Sequence, residues 1–152
     1  IGMDEEGVYD FVVSADGLKK NIDTVVELVR AAPKIDGWKV TAFRPRKSCE
    51  DALLQMGGGV FGADDVVYKL GDEHDGVCDI EILFRGEFDA PDEAFVGPAF
   101  MLMDAVIGEF DVMTKIGEIK VRQISPDDAA DGFDAIAGLA ADIDQRFPAA
   151  QH

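Results

Sequence analysis

The alternation of apolar and polar residues changes period several times along this chain, and each change marks an element. Val8 to Ser14 (VYDFVVS) is rich in β-branched and aromatic residues, the composition of a strand in a partly covered sheet. Leu18, Ile22, Val25, Val26 and Val29 then recur with a period near 3.6, which predicts a helix capped by Asp16 and stopped before Pro33. Trp38, Val40 and Ala42 alternate with Lys39 and Thr41, a second strand running through Phe43 to Pro45. The chain thus opens as β-α-β.

Lys47 to Met56 (KSCEDALLQM) predicts a short helix capped by Ser48 and broken by Gly57-Gly58-Gly59. Two strands follow, Asp65 to Leu70 and Val77 to Arg85, joined by an acidic turn from Gly71 to Gly76. In the second of them Cys78, Ile80, Ile82 and Phe84 share one face, while Asp79, Glu81 and Leu83 share a solvated one. The most apolar stretch, Pro91 to Gly108, carries Val96, Ala99, Phe100, Met103 and Ile107 at helical spacing and reads as a central buried helix. Glu109 to Ile116 fits a strand or a helical turn equally, and Ile119 to Ile124 alternates as a strand. Ser125-Pro126-Asp127-Asp128 has the chemistry of a helix start, with Phe133, Ile136, Ala137, Ala140, Ile143 and Phe147 as the apolar stripe behind it.

Helices and strands are interspersed, but the hairpin breaks the strict alternation that a parallel sheet needs. The pattern predicts one α+β domain over residues 1–152, with its core in 7–147. The expected architecture is a two-layer sandwich, helices on one face of a mixed, largely antiparallel sheet, ferredoxin-like in outline. With 47% apolar residues the chain has enough to bury a full core. No run approaches the roughly 18 uninterrupted apolar residues of a spanning helix, and no basic start leads into an apolar stretch. The expectation is a soluble, cytoplasmic protein that does not engage membranes.

Three segments resemble a bacterial family known as a domain of unknown function, DUF695. They are FVVSADGLKKNIDTVVELVRAAPKIDGWKVTAFRPR (Phe11 to Arg46), MLMDAVIGEFD (Met101 to Asp111) and TKIGEIKV (Thr114 to Val121). The run A-D-G, A-P-K, G-W-K, A-F is the most specific part. The resemblance implies one intact domain. Its relatives can sit beside domains similar to the regulator of ribonuclease E activity B, a small acidic inhibitor, which implies a non-catalytic regulatory role. It supplies no catalytic residues.

Candidate chemistry is sparse. Gly57 to Gly62 spells G-x-G-x-x-G, but a helix before it and a strand after it is the reverse of the order that presents a helix N-terminus to a pyrophosphate, so a loop over a sheet edge is expected. Asp72-Glu73-His74-Asp75-Gly76 gathers oxygen donors out of register with a calcium loop. Cys49 and Cys78 make neither a disulfide framework nor a metal knuckle, Ser14 lacks His and acid partners, and no motif calls for a cofactor. Trp38 and Phe43 are expected to pack rather than to stack on a ligand.

Two clusters merit attention. Asp104, inside an apolar helix, must be paired or have its pKa raised, and with Glu109, Asp111 and His74 it could form an oxygen-rich site for a metal-assisted hydrolase, if these side chains converge. Arg44, Arg46 and Lys47 form the one dense basic cluster. With Ser48 at a helix start, they could bind a small anionic ligand or an acidic loop of a protein partner. The first reading is a non-catalytic regulatory module that binds a protein or small ligand, and the hydrolase is the alternative.

Charge decides one question outright. With 31 Asp and Glu against 14 Lys and Arg, the net charge is −17, whereas nucleic-acid binding depends on cations that displace counterions from phosphates. We therefore expect no measurable binding of duplex DNA or structured RNA near physiological salt in an anisotropy titration. Micromolar affinity with a steep salt dependence would point instead to a local phosphate site at Arg44, Arg46 and Lys47.

Overall fold

The first βαβ unit forms as its pattern predicts, but tighter. The computed structural model describes residues 1–47, 53–56 and 59–148. Strand β2 (Tyr9–Val13) runs parallel to β3 (Trp38–Ala42) in direct register, Tyr9 beside Trp38 and Val13 beside Ala42, and β1 (Gly2–Met3) adds antiparallel to β2. Helix α1 (Ile22–Ala31) crosses between them. Asp16 does not cap it. Asp16 and Gly17 both lie at positive φ (54° and 70°) in a turn, and a 3-10 turn over Lys19–Asn21 precedes the helix, leaving Leu18 outside it and 47% exposed. Ile22, Val25, Val26 and Val29 pack with Val13, Ala15, Ala42, Phe43 and Met113 in a small core. Trp38 stacks its ring on Tyr9 at 4.9 Å, and both rings are exposed on the sheet face.

A second, larger sheet has the order β8-β7-β6-β9. Strands β6 (Val66–His74) and β7 (Val77–Arg85) form the anticipated hairpin, but the turn is only Asp75-Gly76. Both residues have positive φ (52° and 80°), the combination that a two-residue type I′ hairpin needs, so pairing continues to His74 across a bulge between Leu70 and Glu73. Strand β8 (Ile116–Ile124) lies parallel to β7, reached through α2 (Val96–Ile107) and α3 (Glu109–Lys115), which settles the ambiguous stretch after Gly108 as a helix. Leu83 is buried despite sharing a face with Asp79 and Glu81; its register neighbours are Val67 and Arg122.

Two further elements differ from the pattern. Leu53–Met56 is a strand, β4, paired antiparallel with β5 (Gly59–Gly62), so neither a helix through Met56 nor a glycine loop over 59–62 exists there. Leu53-Leu54 can serve a strand as well as a helix, and an apolar run this short carries no decisive period. Residues 48–52, including Ser48 and Cys49, and Gly57-Gly58 lie outside the described residues. The second difference is at Ser125, where Asp128 accepts the Ser125 N–H and its own N–H donates back to the Ser125 carbonyl. These bonds close a turn instead of starting a helix, because a side chain that caps a helix can equally satisfy an isolated turn. Strand β9 (Asp134–Ala135) then pairs with β6, and α4 (Leu139–Arg146) begins only afterwards.

The class is α+β, with strands divided among three-, two- and four-stranded sheets rather than joined in one. Adjacency of β2 and β3 leaves no strand between them, unlike the split βαβ of a ferredoxin-like sheet. The main core lies between the four-stranded sheet and helices α2 and α4, with Ile80, Ile82, Phe84, Phe95, Met103, Ile136, Leu139 and Ile143 all buried. Among the described residues no helix is long and apolar enough to cross a membrane.

Helix α2 is central, but Phe100 is 38% exposed where Met103 is fully buried. Met103→Ala should therefore cost roughly 2–5 kcal/mol, whereas Phe100→Ala and the exposed Asp72→Ala should shift a urea midpoint far less. Equal shifts for Met103→Ala and Asp72→Ala would displace the core from α2.

Candidate functional site

The end of α2 is where the two cores meet. Gly108 terminates the helix at φ 85°, a conformation that disfavours any side chain, and a Cβ there would lie 3.5–3.6 Å from Arg46 Cγ, the Arg44 carbonyl and the Arg46 N. Through this gap runs the segment that leaves β3. Phe43 turns it at φ 65°, a costly conformation for a bulky residue, held by burial, by the bond from its N–H to the Val13 carbonyl and by its ring against Phe110 at 5.2 Å. The backbone N–H of Lys47 then donates to Ala105 O at 2.7 Å, and Arg46 Nε donates to Ile107 O at 2.9 Å. These carbonyls belong to the last turn of α2, where no intrahelical donor remains.

Glu109, the first residue of α3, is the one fully buried charged side chain among the described residues (0% exposed). Four groups meet its carboxylate. Ser14 Oγ donates to Oε2 at 2.7 Å, the N–H groups of Ala15 and Gly17 donate to the same oxygen at 3.1 and 3.3 Å, and the Arg44 N–H donates to Oε1 at 3.0 Å. The Glu109 N–H in turn donates to the Arg44 carbonyl at 3.0 Å. Burial alone pushes the carboxyl pKa up, but the Ser14 hydroxyl, the N–H groups of Arg44 and Gly17 and the Arg44 charge together hold it below the ordinary glutamate range. Glu109 is therefore an ionised structural hub. Ser14, committed to it, also accepts the Asp16 N–H at 2.9 Å.

The basic cluster divides. Arg46 is consumed: beyond Ile107 O, Nη1 and Nη2 grip Asp144 of α4 at 2.9 and 2.7 Å, and Nη2 also reaches Asp111 of α3 at 2.8 Å. The Asp144 contacts first, against the opposing effect of burial, raise its pKa further. Asp111 is shared with Lys115 at 3.0 Å. Arg44 is different. Its Nη1 donates to Asp104 at 3.0 Å and Nη2 stands 3.9 Å from Asp16, and half of its side chain is exposed. Lys47 is exposed, and Ser48 lies outside the described residues. Asp104 accepts from Arg44, and burial raises its pKa against the opposing pull of that guanidinium.

Asp104, Glu109, Asp111 and His74 do not form the oxygen-rich site that an assisted hydrolysis would need. Asp104 and Glu109 are both bonded to Arg44, through its guanidinium and its N–H respectively, Asp111 is bonded to Arg46 and Lys115, and His74 pairs with Asp79 at 2.9 Å on the β6–β7 hairpin, where Asp79 also accepts the Glu118 N–H. That pairing raises the His74 pKa and lowers that of Asp79. Among the described residues no three His, Cys, Asp or Glu side chains are placed to hold a metal ion. The glycine string is likewise followed by one 3-10 turn and a strand, with no helix N-terminus for a pyrophosphate.

What remains is a cleft of about 420 Å³ beside Arg44. Phe100, Val112, Met113, Ile116 and Ile119 form its apolar wall, and Asp16, Gly17, Arg44 and Asp104 its polar rim. Arg44 and Asp104 were candidates by residue type, but their pairing was not legible in the sequence, nor were Asp16 and Asp144 as partners. Nothing local marks contacts between residues so far apart in sequence.

Because the Glu109 pKa is depressed, its stabilisation is complete above the unfolded value and is lost as pH falls through the folded one; the raised Asp104 acts oppositely, favouring the folded state when protonated. Glu109→Gln presents an amide donor to groups that are themselves donors, at roughly 1–3 kcal/mol for each one left unsatisfied. Denaturation at pH 7 should show that loss, and the variant should lose part of the acid-induced decline seen in the wild type below about pH 4. A neutral effect would mean that the carboxylate is not the hub.

The chain matches no family model, no curated protein and no solved structure, and the reading of this site rests on its geometry.

Proposed function

We propose that this is a non-catalytic binding module whose small ligand seats in the cleft beside Arg44. One observation carries the reading. A half-exposed guanidinium, with Asp104 as its only partner within hydrogen-bond distance among the described residues, sits on the polar rim of a cleft whose opposite wall is apolar. Ligand sites commonly have this form, a concave apolar lining with a few polar groups that fix orientation. An arginine presents up to five donors in a planar fork, so most of those on Arg44 remain for a ligand. The reading keeps the non-catalytic regulatory role implied by the resemblance to DUF695, and it moves the basic site from the whole Arg44 to Ser48 cluster to Arg44 alone.

The fluorescent probe 8-anilinonaphthalene-1-sulfonate, an aromatic body with one anionic group, tests the cleft without knowledge of the natural ligand. The folded protein should bind it saturably at one site. Arg44→Gln should weaken that binding by about tenfold, the equivalent of one charged hydrogen bond, and Phe100→Ala should weaken it through the apolar wall. Binding unchanged by both substitutions would remove the cleft as the site.

A further inference from the structure

The charges at the rim of the cleft narrow the class of ligand, an argument that rests on the binding role proposed for it. A simple anion on Arg44 would lie beside Asp104, 3.0 Å from one guanidinium nitrogen, and Asp16, 3.9 Å from the other, on a chain of net charge −17. Local and long-range fields both weaken such binding, so an anion is held there only with help from apolar contact. A simple cation would suit the two carboxylates, Asp16 with 90% of its side chain exposed and Asp104 with 15%, but would make no use of the half-exposed guanidinium of Arg44 and would be repelled by it. A ligand bearing both charges satisfies the rim and has no net charge to be repelled.

Separation of the charges sets the ligand's size. The guanidinium and the two carboxylates are direct neighbours, so the matching ammonium and carboxylate must also be close together. In an α-amino acid a single carbon separates them. The apolar wall of Phe100, Val112, Met113, Ile116 and Ile119 then receives the side chain. We infer that the cleft binds a free apolar α-amino acid, its carboxylate on Arg44, its ammonium on Asp16 and Asp104, and its side chain against Phe100 and Met113.

The probes are L-phenylalanine, 3-phenylpropanoate, which lacks the ammonium, and 2-phenylethylamine, which lacks the carboxylate. Each is titrated calorimetrically into the full chain, with the Met113 methyl resonance reporting the location. L-phenylalanine should saturate and shift Met113, and each analogue should bind at least about tenfold more weakly, the loss expected for one charged hydrogen-bonded group. Arg44→Gln removes a structural partner of Asp104, so its melting curve is recorded alongside. Asp16→Asn is the cleaner variant, because Asn tolerates the positive φ of residue 16 and the side chain is exposed. It should weaken L-phenylalanine several-fold and leave 3-phenylpropanoate unchanged.

Equal or tighter binding of either analogue would overturn the amino-acid assignment, as would an Asp16→Asn variant that binds L-phenylalanine like the wild type. If none of the three probes bound while the naphthalene sulfonate still depended on Arg44, the assignment would fail and the binding module would stand. Failure of that dye as well would remove both.

Discussion

A carboxylate with no access to water is tolerated only where donors replace its hydration, and Glu109 shows how much of this chain is arranged to supply them. The turn after β2 contributes the Ser14 hydroxyl and two N–H groups, and the turn after β3 contributes the Arg44 N–H. Both turns leave the small parallel sheet, whereas Glu109 begins the short helix that joins α2 to β8. The ionised group therefore ties the βαβ unit of the first third to the larger sheet. Apolar contact alone would not fix that orientation, because it is non-directional. Four donors converging on two oxygens are directional.

The packing around the hub follows from the same requirement. Val112 enters the large core and its neighbour Met113 the small one, so successive residues of α3 serve different sheets. Phe43 is held at positive φ so that the chain can turn and offer the Arg44 N–H to Glu109, a local cost on the order of 1–3 kcal/mol that the hub must outweigh. Gly108 supplies the positive φ of 85° at which the chain leaves α2, a conformation that disfavours a side chain beside Arg46 and the Arg44 carbonyl. Strain, a missing side chain and a buried charge thus occur within one short stretch of contacts, the stretch that also sets the rim of the cleft.

Much of the fold was legible because its signals are local. The 3.6-residue stripe of α1, the β-branched strands and the apolar run of α2 each follow from periodicity in one window. Asp75-Gly76 carried a two-residue turn in its identity, and reading the acidic run as one long loop hid it. The errors share a cause as well. Ser125 to Asp128 satisfies its backbone by the bonds a helix cap would use, so only the later partners of Ile136 and Leu139 determine where the helix starts. Leu53 to Met56 is too short for its period to choose between helix and strand. At the site, residue types were readable but partnerships were not: Asp104 had to find a partner, and no pattern named Arg44 sixty positions earlier.

In so acidic a chain a cation has many suitors, and the contrast between Arg44 and Arg46 shows what decides the outcome. The two are separated only by Pro45. Arg46 faces the last turn of α2 and the inner sides of α3 and α4, where a helix C-terminus and two carboxylates converge, and it forms four close contacts there. Arg44 projects from the other side of the turn, where Asp104 meets one nitrogen and Asp16 stays 3.9 Å from another. Excess acid in the composition does not neutralise every arginine, because a bidentate pair needs a carboxylate fixed in the plane of the fork. From the turn at Phe43, Arg44 reaches one carboxylate within hydrogen-bond distance among the described residues, Asp104 of α2, and that contact uses a single guanidinium nitrogen. The conformation that lets its backbone complete the Glu109 hub thereby leaves its side chain half exposed at the cleft.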